Sequence, residues 1–207
     1  MVVLVINYSM NNLGSITRAL AICGVDVLVS SDPCDFENAD SIVLPGVGSF
    51  SIAMDRLEGL GLVPALKEAV LVKKKQVLGI CLGMQLFANE GCEGGYRAGI
   101  GLIEGTVKRL EPHWMGERVP HVGWDEVNYE NSSSLFRNIR TGTDFYFVHS
   151  YHVVPVDPNV VLAKTPFGGG FVSAIRKENI FGVQFHPEKS MPAGLVLLKN
   201  FLTLGST

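Results

Sequence analysis

The chain has 207 residues, 47% of them hydrophobic and 18% charged, with a formal net charge of −3. This describes one ordinary domain, or one with a modest insertion, able to bury most of its unfolded surface, and it excludes a disordered chain. The slight acidity leaves no electrostatic footprint for nucleic acid, and four cysteines without Cys-x-x-Cys or paired-histidine spacing argue against a zinc site or a disulfide scaffold.

Val2–Ile6 is an apolar run too short for a signal peptide or a membrane span. It reads as a strand covered on both faces, in a cytoplasmic protein that meets no membrane. After a polar loop at 7–12, Asn11 or Asn12 can cap a helix running through Ala21, with Leu13, Ile16 and Leu20 at helical spacing. Stretches 25–29 and 41–44 read as the next two strands. Pro45-Gly46-Val47-Gly48-Ser49 then turns the chain into a helical region carrying Ile52, Met54 and Leu57. A further helix over 62–72 ends in Lys73-Lys74-Lys75, which suits a solvated helix C-terminus better than a binding patch.

The strand at 77–80 runs into Cys81, which Gly79 and Gly83 flank, and a helix-like stretch at 82–89 follows. This is the strand–nucleophile–helix pattern of the Gly-x-Ser-x-Gly elbow with cysteine in place of serine. The nucleophile of such an elbow sits on a strained turn, so its neighbours must lack side chains for strand and helix to pack closely. The helix N-terminus favours thiolate over thiol, and the Leu82 backbone N–H can stabilise an oxyanion. The competing reading is a small hydrophobe buried at a strand end.

Strand–helix alternation through residue 89 predicts an open parallel α/β sheet with right-handed crossovers. From Leu102 short runs at 103–110, 121–127, 145–148, 152–156, 160–163, 171–176 and 180–185 alternate with turns, as in antiparallel hairpins and meanders. The glycines at 168–170 lack the Lys-Ser/Thr of a phosphate loop and read as a hairpin turn. An amphipathic helix at 192–204, with Leu195, Leu198, Phe201 and Leu202 inward, closes the chain.

A cysteine nucleophile needs a base. Of five histidines, His186 ends the run 180–185 and is followed by Pro187 and Glu188. Strand ends gather catalytic groups at one edge of an α/β sheet, and Glu188 is close enough to hold the imidazole tautomer. A plain His-Pro-Glu turn is the alternative. His149 and His152 read as structural histidines and Cys92 as inert.

Taken together, the stretches 79–85 (Gly-Ile-Cys-Leu-Gly-Met-Gln) and 184–190 (Gln-Phe-His-Pro-Glu-Lys-Ser) resemble the class I (triad) glutamine amidotransferases. Pro45 to Phe50 looks like that family's oxyanion-strand loop. Pro120 to Asp125 and Phe145 to Tyr151 look like segments of its histidine-pathway branch. The resemblance spans nearly the whole chain and implies a flavodoxin-like fold in one domain over 1–207. Its central sheet would be mainly parallel and flanked by helices, with an antiparallel portion added.

The resemblance also implies hydrolysis of L-glutamine to glutamate and ammonia by a Cys-His-Glu triad. Cys81 would attack the carboxamide and form a thioester, His186 would move the proton, and Glu188 would orient His186. The oxyanion would be held by backbone N–H of Leu82 and, after a loop rearrangement eased by Gly46 and Gly48, of Val47. Gln85 and Glu93 resemble the glutamine-holding side chains, with Gly48, Tyr146 and Ser150 lining the same site. Asn12, His121, Trp124 and Lys189 resemble residues facing a partner, a (β/α)8-barrel cyclase subunit that receives the ammonia within a heterodimer. No cofactor and no metal are implied.

One loop departs from the family. Where Asp-Tyr-Gly-x-Gly-Asn is usual, this chain has Asn7-Tyr8-Ser9-Met10-Asn11-Asn12, which leaves room for a different ammonia acceptor, such as an amidino-sugar synthase. Rivals from other classes are a cysteine hydrolase or peptidase of the same architecture and a non-catalytic binding module.

Overall fold

The computed structural model describes residues 1–10, 12–129 and 133–204. Seven strands form the main sheet: β1 (Val2–Ile6), β2 (Asp26–Ser30), β3 (Ser41–Gly46), β4 (Gln76–Cys81), β11 (Val161–Thr165), β12 (Phe171–Lys177) and β13 (Ile180–Val183). Their order is β11-β12-β13-β4-β3-β1-β2. From β2 to β13 neighbours run parallel, and β12 and β11 add an antiparallel edge. A second sheet contains β5 (Glu90–Gly91), β6 (Arg97–Ala98), β7 (Gly105–Arg109) and β10 (Tyr151–Pro155), and β8 (His121–Val127) pairs with β9 (Thr143–His149). This is the expected mainly parallel sheet with an antiparallel portion.

The continuous apolar runs follow from burial on both faces. Leu4, Ile6, Ile42, Leu44 and Val77 face one core cluster, while Val3, Val5, Val43, Leu78 and Ile80 face the other. Helices α2 (Phe50–Gly59) and α3 (Leu62–Lys67) cover the first face; α1 (Leu13–Ile22) and α5 (Ala193–Thr203) cover the second. In α5, Leu198, Phe201 and Leu202 are buried as expected, while Leu195 is only partly so.

Several local expectations need correction. The helical region after Ser49 is present as α2, in which Met54 and Leu57 are buried while Ile52 is 51% exposed. The Asn12 side chain makes no capping bond to α1, and Asn11 lies outside the described residues. The stretch predicted as helix over 62–72 changes after Lys67 into a wider π turn, Glu68–Val72. The helix after Cys81, α4, covers only Leu82–Leu86: the Phe87 and Ala88 amides tighten onto Met84 and Gln85, the Leu86 and Phe87 carbonyls accept from Ile100 and Leu102, and Asn89 N–H bonds the Gly105 carbonyl. In the lysine run Lys73 and Lys74 are the exposed residues at the helix end that were expected, and Lys75 is the exception. Lys75 Nζ donates to the carbonyls of Phe36, Glu37 and Ala39 at 2.7, 2.7 and 2.8 Å, while Lys73 pairs with Glu37 and Glu68 and Lys74 with Glu178.

Register positions the site. Gly46 lies beside Cys81 and Ile80 beside Val183, so the C-terminal ends of β3, β4 and β13 meet at one edge. That edge is where open α/β sheets place their ligands. Among the described residues no helix is long and apolar enough to cross a membrane.

Candidate active site

Cys81 ends β4 with φ 55° and ψ −111°, a conformation that costs energy for any residue with a side chain. Two glycines make the turn possible. A Cβ on Gly83 would collide with the Leu44 carbonyl, and one on Gly79 would sit 2.6 Å from Phe87 Cε2 and 2.7 Å from Met84 N. The elbow read from the sequence is therefore present, and for the reason of close packing. Leu82 opens α4, so its N–H has no partner within the helix.

His186 follows β13, and its backbone N–H bonds the Tyr146 carbonyl at 2.9 Å. Its Nδ1 lies 2.7 Å from Glu188 Oε1, and the two side chains are only 4% and 5% exposed. A carboxylate only accepts, so Nδ1 carries the proton of that bond and Nε2 is the working nitrogen. Nε2 is buried and spends itself on no other hydrogen-bond partner. Burial disfavours the imidazolium, but Cys81 and Glu188 together outweigh it and raise the His186 pKa to about 10. A histidine nitrogen facing a cysteine on an elbow, with its other nitrogen held by a carboxylate, is the base-and-nucleophile arrangement of cysteine enzymes.

A residue not singled out from the sequence completes the sulfur's surroundings. Gln184 Nε2 lies 3.6 Å from Cys81 Sγ, and its Oε1 accepts from Gln85 Nε2 at 3.0 Å. The signal was available, since Gln184 and His186 share a face at period two. Gln85 Nε2 also donates to the Tyr151 carbonyl at 2.7 Å. Both amide hydrogens of Gln85 are thus used, leaving only its oxygen for a ligand; it can receive an amide or ammonium but cannot donate to a carboxylate.

A cavity of about 420 Å³ opens over Cys81. Val47, Gly48, Leu82, Gln85, Glu93 and Ser150 line it, as expected, together with Ser49, Pro120, Val148, His149 and Tyr151, which sequence reasoning did not place there. Glu93 does double duty, since its Oε2 accepts the Phe50 N–H at 2.8 Å at the start of α2. Tyr146 is not a lining residue. It stands beside His186, ring centroids 6.4 Å apart, between Trp124 at 6.0 Å and Lys189 Nζ at 5.1 Å. The Val47 N–H points away from the cavity and donates to the Met10 carbonyl at 2.9 Å, and Gly48 beside it has φ +105°. One of the two amides expected at the oxyanion, that of Val47, is therefore bonded elsewhere.

Of the four residues expected at a partner face, Asn12, Trp124 and Lys189 are exposed. His121 is not. It is 5% exposed and stacked between Phe147 and Phe167, because β8 alternates and turns it inward. Its Nδ1 lies 3.2 Å from His149 Nε2 and its Nε2 3.3 Å from Asp125 Oδ2, while His149 Nδ1 lies 2.9 Å from the Tyr151 carbonyl. Burial pushes the His149 pKa down to about 3. Among the described residues no group of three or more His, Cys, Asp or Glu could hold a metal ion, and Cys23, Cys34, Cys81 and Cys92 are all free thiols.

Residues 4–204 match the family model described as glutamine amidotransferase class-I. The chain is 48% identical over 197 residues to imidazole glycerol phosphate synthase subunit HisH from Moorella thermoacetica, covering 95% of this chain and 92% of that one. It is 46% identical over 199 residues to imidazole glycerol phosphate synthase subunit HisH 1 from Campylobacter jejuni, covering 96% and 98%. Among solved structures it resembles PurLQS from Thermotoga maritima, with a TM-score of 0.75 at 18% identity over 98% of both chains; that likeness concerns the fold.

Proposed function

The chain belongs to the class I glutamine amidotransferases, and we propose that it works as the glutaminase subunit of an imidazole glycerol phosphate synthase. The observation that carries this reading is the geometry at the sheet edge: a cysteine on a strained elbow, and beside it a buried imidazole whose Nδ1 is held by Glu188 and whose Nε2 is unspent.

Cys81 attacks the side-chain carbonyl carbon of glutamine, and the oxygen takes the negative charge. His186 Nε2 delivers its proton to the departing ammonia, leaving a γ-glutamyl thioester. The now neutral imidazole takes a proton from water, hydroxide displaces the sulfur, and glutamate leaves. Glu188 fixes the ring and stabilises its cationic form. The Leu82 N–H is one oxyanion donor, and Val47 becomes the second when its peptide leaves the Met10 carbonyl. One such donor is worth roughly 2.7–4 kcal/mol of barrier, so an enzyme resting with Val47 turned away is slow until the loop moves. Glu93 receives the α-ammonium of glutamine, and Gln85 oxygen accepts from it or from the amide. Ammonia then passes to a (β/α)8-barrel cyclase subunit docked over Trp124 and Lys189, in a cytoplasmic heterodimer.

The deciding experiment measures glutamate release from glutamine, alone and with a purified barrel cyclase plus its ribotide substrate, with Cys81→Ala as control. Slow turnover that the partner stimulates and the substitution abolishes is expected. Absence of Cys81-dependent turnover in both conditions would sink the reading. A different ammonia acceptor is the second reading, favoured by the 7–12 loop. Ser9 there holds φ 61° where the family has glycine, with its N–H on Asn7 Oδ1 at 3.1 Å. Cys81-dependent turnover that the cyclase leaves unchanged would select it.

A further inference from the structure

Tyr8 is 0% exposed, and its hydroxyl is buried without a hydrogen-bond partner. A buried hydroxyl in that state is costly, and native proteins keep few of them. Its position is specific. A Cβ built on Gly46 would overlap the Tyr8 hydroxyl, so that hydroxyl stands over the backbone of the residue that opens the oxyanion loop and lies beside Cys81 in register. Burial first, and then the nearby Cys81, push the phenol well above its ordinary pKa, so it remains an O–H donor at every working pH.

We propose that Tyr8 is a positioning residue, a donor held in reserve for the Gly46 carbonyl when the loop peptide turns over. The inference rests on the glutaminase reading and on the peptide geometry of the loop. In a trans peptide N–H and C=O point in opposite directions. With the Val47 N–H on the Met10 carbonyl, the Gly46 carbonyl of the same peptide points away from Met10. Rotation brings the Val47 N–H to the cavity and swings the Gly46 oxygen towards Met10. There it would face another carbonyl oxygen, and two acceptors repel unless a donor stands between them. The orphan hydroxyl over Gly46 is placed to be that donor. It is two residues before Met10 in the chain, and Gly46 has no side chain to keep it off. The rotation then replaces the bond lost at Met10, and the cost of the idle hydroxyl in the resting form favours the turned one.

The test is Tyr8→Phe in complex with the cyclase subunit and its substrate, which removes one oxygen from a buried ring. The expected result is a stimulated kcat lower by about tenfold, the size of one lost hydrogen bond, with KM for glutamine unchanged. The thermal midpoint should hold or rise, because an unsatisfied polar group has gone. Full kcat, or a lowered midpoint with kcat intact, would overturn the proposal and leave Tyr8 as packing. Should Tyr8→Phe fold poorly, 3-fluorotyrosine at position 8 keeps the shape and strengthens the donor. It should hold kcat at or above wild type; a loss there also overturns the proposal. Wild-type complex that makes no glutamate would overturn the glutaminase reading itself, and the reserve donor with it, whereas wild-type turnover matched by Tyr8→Phe removes the donor alone.

Discussion

His186 and His149 depart from the ordinary histidine pKa in opposite directions, although both are buried histidines. What differs is the company. His186 has Glu188 and Cys81 to offset burial, and His149 has a carbonyl and other histidines. His186, raised from 6.5 to about 10, contributes stability that is fully present below pH 6.5 and is lost as pH rises towards 10. His149, lowered from 6.5 to about 3, contributes stability that is present above pH 6.5 and is lost as pH falls towards 3. Denaturant midpoints should therefore peak near neutral pH. In Cys81→Ala, which loses one of the groups raising His186, the alkaline decline should shrink. An unchanged alkaline limb would show that the thiol does not act on His186.

The histidine chain carries a second prediction. The Tyr151 carbonyl and Asp125 at its ends are both acceptors, and three gaps lie between them. Two neutral rings supply only two N–H protons, and burial lowers the His121 pKa, so one gap is short of a hydrogen. Asp125→Asn places an amide donor at the end. It should stabilise the protein by about 1 kcal/mol above pH 6.5, the worth of one hydrogen bond. Urea denaturation at pH 8 reads this directly, and a destabilised variant would mean the count is wrong.

At the scale of elements, the three adjacent lysines show how little a local run says about what each member does. Lys73 and Lys74 make exposed ion pairs, of the kind worth little. Lys75 ties the turn before β3 to the start of β4 through three carbonyls. Lys75→Met should cost about 1.5–3 kcal/mol, the range for bonds to a charged group. Lys74→Met should change stability by less than about 0.5 kcal/mol. Paired denaturation curves check both, and equal costs would refute the distinction. The elbow is the opposite case. Its glycines were legible because the geometry leaves no alternative residue, whereas the early end of α4 was not. It depends on backbone partners such as Gly105, far along the chain.

At the scale of the whole molecule, β8 sorts its residues by alternation, with His121 buried and Val122 and Trp124 each 56% exposed. Trp124 leads back through Tyr146 to His186, so a partner seated there would touch the triad at two removes. Trp124→Ala should weaken cyclase binding by at least about tenfold while leaving the thermal midpoint in place, as expected of an exposed aromatic anchor. Calorimetric titration of the two subunits measures it; unaltered affinity would move the docking face elsewhere.

The sequence by itself determined the strand–helix order, the two-faced burial of β1, the elbow at Cys81 and the pairing of His186 with Glu188. These depend on short-range patterns: apolar runs, glycines at a forced turn, and a carboxylate two residues from its imidazole. Only the tertiary structure decided which way each group faces. It turned the Val47 amide onto Met10, used both hydrogens of Gln85, set Tyr146 behind His186, buried His121 and left the Tyr8 hydroxyl unpaired over Gly46. The physical reason is that hydrogen-bond direction and burial depend on partners remote in the chain. The pairs that fix them here, Val47 with Met10 and Gln85 with Tyr151 and Gln184, lie on different elements and meet only when the sheet is assembled.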